Sequence, residues 1–340
     1  MDERDVLVVG GDQVRELLAG RETEVLAAVR AAYVAHANGQ SSLPHSTFLH
    51  FPGHDANRII ALPALLAGGF NVAGVKWIAS FPGNTDHGQA RAAAVLVLNS
   101  CANGRPEAIL EGSLISAART AASAALAAEA LLAGRAAGLI GMVGTGLINA
   151  EIARYLRVTL PGTTGFLLHD LEPTRAARAA AAWRRALPGI ETEVARSADE
   201  VLRRCELVSF ATTAVQSHVG DLSHCPPGTA ILHISLRDLT PQAILASDNV
   251  TDDPDHACRA QTSLHLAEQL SGSRRFIRCT LGEIMQGTAA PRAGDGRVAV
   301  FSPFGLGVLD LAVGKLVREL AQASGRAQII HSFIPATGCG

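Results

Sequence analysis

The chain has 340 residues, of which 29 are basic and 31 acidic, so its formal net charge is −2. This length suffices for about two domains with a substantial core, and the near-neutral charge argues against a protein built to coat nucleic acid or an anionic membrane. The longest apolar stretch, 117–150, is interrupted by three charged residues and predicts no membrane span. Because the first residues are acidic, no secretory signal is expected, and the predicted compartment is the cytoplasm.

The residue types that bind metals or form disulfides are scattered along the sequence. The six cysteines form no CxxC pair and stand at Cys101, Cys205, Cys225, Cys258, Cys279 and Cys339. They predict neither a disulfide framework nor a zinc site. His50 and His54 have metal-ligand spacing, but Pro52 and Gly53 break any helix between them. We therefore expect no metal, and no motif for a serine or cysteine nucleophile is present.

Short strand-like runs dominate the first hundred residues. Strands are predicted at 6–9, 47–51, 58–62, 72–81 and 94–99, and one helix is predicted at 23–38 with Gly39 as its end. Gly, Pro, Asn and Asp separate these runs. The pattern is typical of an α+β domain with a mainly antiparallel sheet.

From residue 113 onward, helices and strands alternate. A helix of Ala, Leu and Ile is predicted from Ser113 to Ala133, with Gly134 where it ends. Strands at 139–143, 165–169, 207–211, 230–234 and 249–251 then alternate with helices that include 174–186 and 198–204. This alternation indicates βαβ units and a doubly wound sheet.

The predicted fold class is thus α/β, with two domains. A Rossmann-type doubly wound domain is expected over 119–304, and an α+β domain over 1–118 together with 305–340. The second segment of the α+β domain is included because the last apolar helix, predicted at 308–324, is expected to return to the first domain.

A glycine-rich turn follows the strand at 139–143. Its sequence is Gly144-Thr145-Gly146-Leu147-Ile148-Asn149, and a helix comes next. The glycines would permit a tight turn and let the backbone approach a pyrophosphate, which the free N–H groups of the helix would then face. Asp170 ends the next strand at the distance expected of an acid that binds the ribose 2′-hydroxyl, which favours NAD over NADP. The alternative is an ordinary turn with Asp170 as a helix cap.

Four cations lie in apolar surroundings without an obvious partner. Lys76 lies inside the apolar strand 72–78, and Arg119 has no acid at helical spacing. Lys76 could instead be an edge residue that reaches solvent, and Arg119 could bind a distant carboxylate, water or a ligand. Arg58 and Arg91 adjoin further apolar strands and could be solvated or structural. Together the four favour an anionic substrate, because arginine binds carboxylates with two hydrogen bonds.

Asp238 follows the apolar run 231–236, so it would lie at the carboxyl end of a parallel strand. Doubly wound sheets bind their ligands at that edge, and a carboxylate there is a candidate for general acid/base work. The alternative is a loop aspartate that pairs with Arg237 or caps the following turn.

Taken together, these residues resemble the ornithine cyclodeaminase/mu-crystallin family. The likeness extends from about Tyr33 to Leu316 and rests on Lys76, 114–122 with Arg119, Gly144, Gly146, Asp170, Asp238 and 305–310. It implies an NAD-dependent oxidoreductase acting on a small-molecule amino acid. It also implies that the α+β domain binds the substrate and forms a homodimer.

Within that family, four segments are similar to the dehydrogenases that supply 2,3-diaminopropionate for siderophores and peptide antibiotics. The segments are Arg58–Pro63, Lys76–Ile78, Arg91-Ala92 and Glu111–Ser116. This resemblance implies NAD-dependent oxidation of N-(2-amino-2-carboxyethyl)-L-glutamate to 2,3-diaminopropionate and 2-oxoglutarate. Two alternatives stay open: an ornithine cyclodeaminase or ketimine-reducing amino-acid dehydrogenase, and a non-catalytic NAD(P)-dependent binding protein like the crystallin branch.

The resemblance also implies roles for single residues. Lys76 would bind the substrate carboxylate and take part in catalysis, Arg119 would lie between substrate and cofactor, and Asp238 would be the acid/base. Asp170 would bind the adenosine ribose. The remaining dinucleotide contacts would come from Gly144, Gly146, Leu147, Ile148, Thr212 and Ser235.

Two positions depart from the ornithine cyclodeaminase pattern. His50 stands near the place of an early carboxylate-binding arginine, and Ile60 replaces a glutamate. Both changes disfavour ornithine, because its distal amine would lose an anionic partner. Arg58 and Arg91 add positive charge instead, which favours a polycarboxylate amino acid as substrate.

Overall fold

The structure is a computed structural model that describes residues 2–54, 56–325 and 327–336, with residue 86 described by its backbone alone. The chain divides into two compact units, Met1–Arg119 with Leu306–Gly340 and Thr120–Gly305. The first unit is therefore made of two segments that are distant in sequence.

In the described residues the strands and α-helices follow one another in this order: β1 (Val6–Val9), α1 (Gly11–Leu18), α2 (Glu22–Ala37), β2 (Ser41–Ser42), β3 (Thr47–His50), β4 (Arg58–Leu66), β5 (Val72–Ser80), β6 (Ala92–Ser100), β7 (Pro106–Glu111), α3 (Gly112–Leu132), β8 (Leu139–Val143), α4 (Leu147–Thr159), β9 (Gly165–His169), α5 (Pro173–Ala186), β10 (Glu191–Val194), α6 (Ala198–Arg204), β11 (Leu207–Phe210), β12 (Ala230–His233), α7 (Pro241–Leu245), β13 (Asp248–Thr251), α8 (Pro254–Ala257), α9 (Ser263–Ser271), β14 (Ile277–Thr280), α10 (Leu281–Gln286), β15 (Ala299–Phe301), α11 (Gly307–Ser324) and β16 (Gln328–Ile330). A short 3₁₀ helix, Pro82–His87, precedes β6.

The first unit contains a mainly antiparallel sheet with the strand order β16-β1-β7-β6-β5-β4-β2, and β3 also pairs with β4. Among the described strands of this first sheet, only β1 and β7 pair in parallel. Helix α11 packs closely on one face of this sheet, since a Cβ atom on Gly314 would lie 2.4 Å from Leu96 Cδ2. A Cβ atom on Gly307 would lie 3.2 Å from Leu62 O. The first turn of α11 therefore lies over Leu62, whose partner across the sheet is Lys76.

The second unit contains a wholly parallel sheet, with the described strands in the order β10-β9-β8-β11-β12-β15-β13-β14. Helices connect successive strands except β11 and β12, and all four residues of each of these two strands are buried. Strands that are covered on both faces have continuous apolar sequences, so the positions of these strands can be predicted from the sequence. The predicted α/β class, which combines a Rossmann-type sheet and an α+β domain, is confirmed.

Helix α3 is long and apolar enough to span a bilayer by length and composition, with a mean hydropathy of 1.2 over its best window. However, 78% of that window is buried inside the protein. That burial is the environment of a core helix, in agreement with the expectation of no membrane span.

Candidate active site

Lys76 and Arg119 meet at one buried carboxylate in the first unit. Lys76 is 2% exposed, and its Nζ donates to Asp310 Oδ2 at 2.7 Å and to Ser116 Oγ at 3.0 Å. Arg119 donates from Nε to Asp310 Oδ1 at 3.1 Å and from Nη2 to Ser116 Oγ at 3.2 Å. Lys76 is thus not an edge residue in contact with solvent. We call these four residues the lysine–arginine cluster.

The lysine–arginine cluster holds two cations against one anion, so it keeps a net positive charge in a buried place. Burial, and after it the charge of Arg119, lower the pKa of Lys76 to about 8, while Asp310 opposes this shift. One further anion would balance the cluster, because buried charges are stable only when they are paired. The cluster can therefore accept one carboxylate group of a ligand.

A second cationic pair is formed by Arg58 and Arg91. The Nε atom of Arg58 is buried and has no hydrogen-bond partner in the described part of the chain. Burial, and then the charge of Arg58, lower the pKa of Arg91, so the two guanidinium groups lie near one another. Arg58 on β4 is paired with Ser80 on β5. Ser80 lies four residues after Lys76 and on the same face of that strand. At about 3.3 Å per residue, the pair lies about 13 Å from Lys76 along the strand.

In the second unit, the glycine turn requires its first glycine. Gly144 has φ +86°, and a Cβ atom there would lie 2.5 Å from Ala211 O. Gly146 is the N-cap of α4 and, like any glycine, offers no capping side chain to the first turn. The N–H groups of that turn are consequently available to an anion, as in other dinucleotide-binding turns.

Asn149 replaces the third glycine of the usual fingerprint and is fully buried. Its Nδ2 donates to Val143 O at 3.0 Å and to Gly144 O at 2.6 Å, and its Oδ1 accepts from Ser209 Oγ at 2.7 Å. The side-chain amide therefore ties the glycine turn to β8 and β11. This departure from the fingerprint stabilises the turn.

Asp170 binds directly to the glycine turn. Its Oδ2 accepts from Thr145 N–H at 2.9 Å and from Thr145 Oγ1 at 2.7 Å. Burial by itself would raise the pKa of Asp170, but the hydrogen bonds from Thr145 outweigh it and the pKa is lowered. Its Oδ1 accepts from Glu172 N–H at 3.2 Å, ahead of α5. Asp170 is thus an ionised acid beside the turn.

The carboxyl ends of the neighbouring strands carry unusually exposed apolar side chains. Leu147 is 63% exposed, Leu171 96% and Val215 85%. They follow Gly146, Asp170 and strand β11 respectively, and the sequence analysis did not single out Leu171 or Val215. Apolar side chains around a few polar groups are typical of a site for a flat organic ligand. The residues present here fit a dinucleotide.

Asp238 lies at the carboxyl end of β12, fully buried within a polar network. The hydroxyl groups of Thr212 and Ser235 donate to its carboxylate, and its own N–H donates to His233 Nε2 at 3.1 Å. Burial alone would raise the pKa of Asp238, but His233, Ser235 and Thr212 together lower it. His218 Nε2 lies 3.9 Å from Asp238 Oδ1.

The loop that carries Ser235 and Asp238 contains a strained residue. Leu236 adopts φ +67°, a conformation that a bulky side chain rarely takes and that costs about 1–3 kcal/mol. Strain of this kind persists only where the surrounding structure enforces it. The loop is therefore held in one geometry at the edge of the sheet where ligands bind.

The sequence analysis missed several residues of these sites, although each leaves a signal. Asp310 is the only acid in the apolar run 308–313, and His233 lies in an otherwise apolar strand. Polar residues in such runs are buried and need partners. His218 carries no comparable signal. Of the cysteines, Cys339 lies outside the described residues, and the other five are free.

We predict that Gly144→Ala weakens NAD binding and lowers the thermal stability of the second unit. A Cβ atom would collide with Ala211 O, and the left-handed backbone would add strain. Gly189→Ala is the matched control, since Gly189 has φ +79° but no atom near its Cβ position. We expect calorimetry to show a clearly larger loss for Gly144→Ala. Equal losses would mean that only the backbone conformation matters.

The parallel sheet, the glycine turn and the ionised Asp170 define a protein with a Rossmann-type dinucleotide-binding unit. The family model of the ornithine cyclodeaminase/mu-crystallin family matches residues 11–325. The chain belongs to this family, as the sequence analysis predicted.

Two relatives illustrate the range of activities in the family. The chain is 25% identical over 325 residues to an N-((2S)-2-amino-2-carboxyethyl)-L-glutamate dehydrogenase of Staphylococcus aureus, which covers 94% of this chain and 96% of that protein. It is 26% identical over 336 residues to an alanine dehydrogenase of Archaeoglobus fulgidus, with 97% and 99% covered.

Solved structures share the fold over nearly the whole chain. A Δ(1)-pyrroline-2-carboxylate reductase of Thermococcus litoralis in complex with NADH and L-proline has a TM-score of 0.88 at 24% identity and covers 95% of this chain and 99% of its own. An archaeal alanine dehydrogenase dimer with bound NAD has a TM-score of 0.85 at 25% identity, with 96% and 99% covered.

Proposed function

We propose that the protein is a cytoplasmic, NAD-dependent amino-acid dehydrogenase. In this proposal it oxidatively hydrolyses N-(2-amino-2-carboxyethyl)-L-glutamate to 2,3-diaminopropionate and 2-oxoglutarate, as a step in making a siderophore or peptide natural product. The observation that carries it is the presence of two cationic groups, Arg58 with Arg91 and the lysine–arginine cluster, in the first unit. A substrate with three carboxylates matches this charge, and the Staphylococcus aureus relative supports it.

The two cationic groups would divide the carboxylates of the substrate between them. Lys76 and Arg119 would bind the glutamyl α-carboxylate, which supplies the anion that their cluster lacks. Arg58 and Arg91 would bind a more distant carboxylate, about 13 Å away at the Cα positions and closer at the ends of these long side chains. Holding both ends fixes the Cα–H bond in one orientation, which is a major source of rate.

In the second unit, Gly144, Gly146 and Asp170 would bind NAD, and bound NAD would accept a hydride from the glutamyl Cα. Thr212 and Ser235 would line the same edge of the sheet. The oxidised substrate then carries a C=N bond that water must cleave. We propose that the proton transfers of this hydrolysis take place at the end of β12, beside Asp238.

Ornithine is a weaker candidate substrate than the glutamate adduct. Its distal group is an ammonium, which Arg58 and Arg91 would repel, and the described residues provide no acid bonded to either arginine. A like-charge contact of this kind costs affinity rather than adding it.

The decisive experiment is to mix the purified protein with NAD and the glutamate adduct. The proposal expects the absorbance of NADH to rise together with 2-oxoglutarate in equal amounts. Ornithine is the comparison substrate. Proline and ammonia from ornithine, without net NADH, would instead identify a cyclodeaminase, and absence of product from either compound would favour a binding protein.

We also propose that the protein is a homodimer through the outer face of the first sheet. The face opposite α11 carries Leu49, Leu65 and Trp77, which are 46%, 37% and 41% exposed. Several exposed apolar side chains on one face of a sheet are typical of an interface with another protein. A second copy of the chain is the proposed occupant, in keeping with the archaeal relative that was solved as a dimer.

We predict that Trp77→Glu dissociates the dimer, because it would bury a charge at the centre of the apolar face. Size-exclusion chromatography with light scattering should show a monomer. Val194→Glu is the control, since Val194 is 44% exposed but lies in the second unit. A dimer that survives Trp77→Glu would exclude this face as the interface.

A further inference from the structure

His218 and Asp238 are held side by side by the backbone of the second unit. The N–H groups of His218 and Val219 both donate to Asp238 O at 2.9 Å. Val219 also forms a parallel bridge with Leu239. The two residues are thus in fixed register, and the imidazole Nε2 lies 3.9 Å from Asp238 Oδ1. A small rotation of the imidazole would form a hydrogen bond, and such bonds often tighten only when substrate is bound.

The side chains of His218 and Asp238 differ sharply in their accessibility to solvent. The side chain of Asp238 is 0% exposed, and that of His218 is 45% exposed. The carboxylate of Asp238 already accepts from Thr212 and Ser235. A water molecule about to attack a substrate can reach the imidazole but not this carboxylate. An ionised, buried carboxylate behind a half-exposed imidazole is the arrangement in which the acid orients the base and stabilises its protonated form.

We propose that His218 is the general base and acid for hydrolysis of the oxidised substrate, and that Asp238 is its positioning residue. This inference rests on the proposed function. It assigns the proton transfers to a residue that the sequence analysis did not single out. His218 and Asp238 lie at the same edge of the sheet as the glycine turn. Thr212 shows this, because it donates a hydrogen bond to Asp238 and is also next to Gly144.

The chemistry balances without a further reagent. Neutral His218 takes a proton from water as the oxygen bonds to the carbon of the C=N group, and the electron pair of that double bond moves to nitrogen. The protonated imidazole then returns a proton to the nitrogen. This gives a carbinolamine, from whose hydroxyl group the neutral imidazole takes the remaining proton and passes it to the same nitrogen. As the C–O double bond forms, the C–N bond breaks, so that 2,3-diaminopropionate leaves as the free amine and the carbon becomes the keto group of 2-oxoglutarate.

Asp238 also lies close to a second imidazole, since His233 Nε2 is 3.5 Å from Asp238 Oδ2.

The test separates oxidation from hydrolysis in His218→Gln. We expect a rapid burst of NADH, close to one per active site, followed by steady turnover at least about tenfold slower than in the wild type. Quenching with sodium borodeuteride during the slow phase should return the adduct with one added deuterium, because the C=N compound accumulates.

Two further variants complete the experiment. His224→Asn is the matched control, because His224 lies in the same connection between β11 and β12 as His218 but has its Nε2 2.8 Å from Asp199 Oδ1 rather than beside Asp238; it should keep wild-type kinetics. Asp238→Asn should slow hydrolysis while leaving NAD binding, measured by fluorescence, unchanged. Wild-type turnover in His218→Gln, or loss of the NADH burst itself, would overturn the inference. If the wild type produces no NADH at all, the proposed function has failed instead.

Discussion

Asp310→Ala is expected to destabilise the first unit by about 3–5 kcal/mol, because it leaves two buried cations without their anion. Asp310 is the only acid bonded to Lys76 and Arg119 in the described part of the chain, and all three side chains are almost fully buried. Thermal and urea unfolding, monitored by circular dichroism, would measure the loss. Activity would fall as well, since the cluster would no longer hold its shape.

The matched control lies on the same helix. Glu319 pairs with Lys315 on the exposed side of α11, at 2.6 Å and with 55% of the Glu319 side chain accessible. Removing it should cost no more than about 0.5 kcal/mol. Lys76→Met should also be tolerated better than Asp310→Ala, because Arg119 and Asp310 remain as a neutral pair, although substrate binding is lost. Stability of Asp310→Ala equal to that of Glu319→Ala would contradict the assigned role.

The second large effect concerns the choice of substrate. Arg58→Gln and Arg91→Gln should each lower kcat/KM for the glutamate adduct by about 10- to 100-fold. This factor corresponds to the free energy lost with one hydrogen bond to a charged group. The same variants should lose affinity for 2-oxoglutarate but keep their affinity for pyruvate, which lacks the distal carboxylate. Inhibition constants for the two keto acids would measure this difference.

Arg105→Gln serves as the control for the arginine variants. Arg105 lies in the turn before β7 and pairs with Glu3 on the surface of the same unit. Its loss should affect neither keto acid. Equal losses of 2-oxoglutarate and pyruvate binding in Arg58→Gln would show that Arg58 acts on the general shape of the site rather than on a distal carboxylate.

Much of the fold follows from local sequence. Four elements are found with the predicted bounds: the strands at 6–9, 139–143 and 165–169 and the helix at 198–204. Each is an apolar run or a capped helix with clear start and stop signals in the sequence. Strand β10 was not predicted, because Glu191–Val194 is mostly exposed and its glutamates alternate with uncharged residues instead of forming an apolar run. Strand β7 begins at a proline, and α1 begins with a glycine and has no side-chain cap. Strands β7 and β10 form by pairing with strands distant in sequence, and local preference does not predict them.

The candidate site was predictable in its residues but not in its contacts. Lys76 and Arg119 stand out in the sequence because they lack local partners. Their shared partner, Asp310, lies 234 residues beyond Lys76, and no spacing rule reaches so far. Asp238 was predicted as the acid/base at the carboxyl end of a strand, and the sequence did not predict its full burial. Its burial depends on how β11, β12 and the following loop assemble.

The late position of α11 in the chain has a consequence for biosynthesis. A nascent chain that has emerged only as far as residue 305 contains every strand of the first sheet except β16 but lacks the helix that covers it. Until α11 has been synthesised, Leu62, Leu96 and Lys76 face water on an unfinished layer. The protein should therefore need protection on the ribosome, and prematurely terminated chains should be cleared by proteases or aggregate.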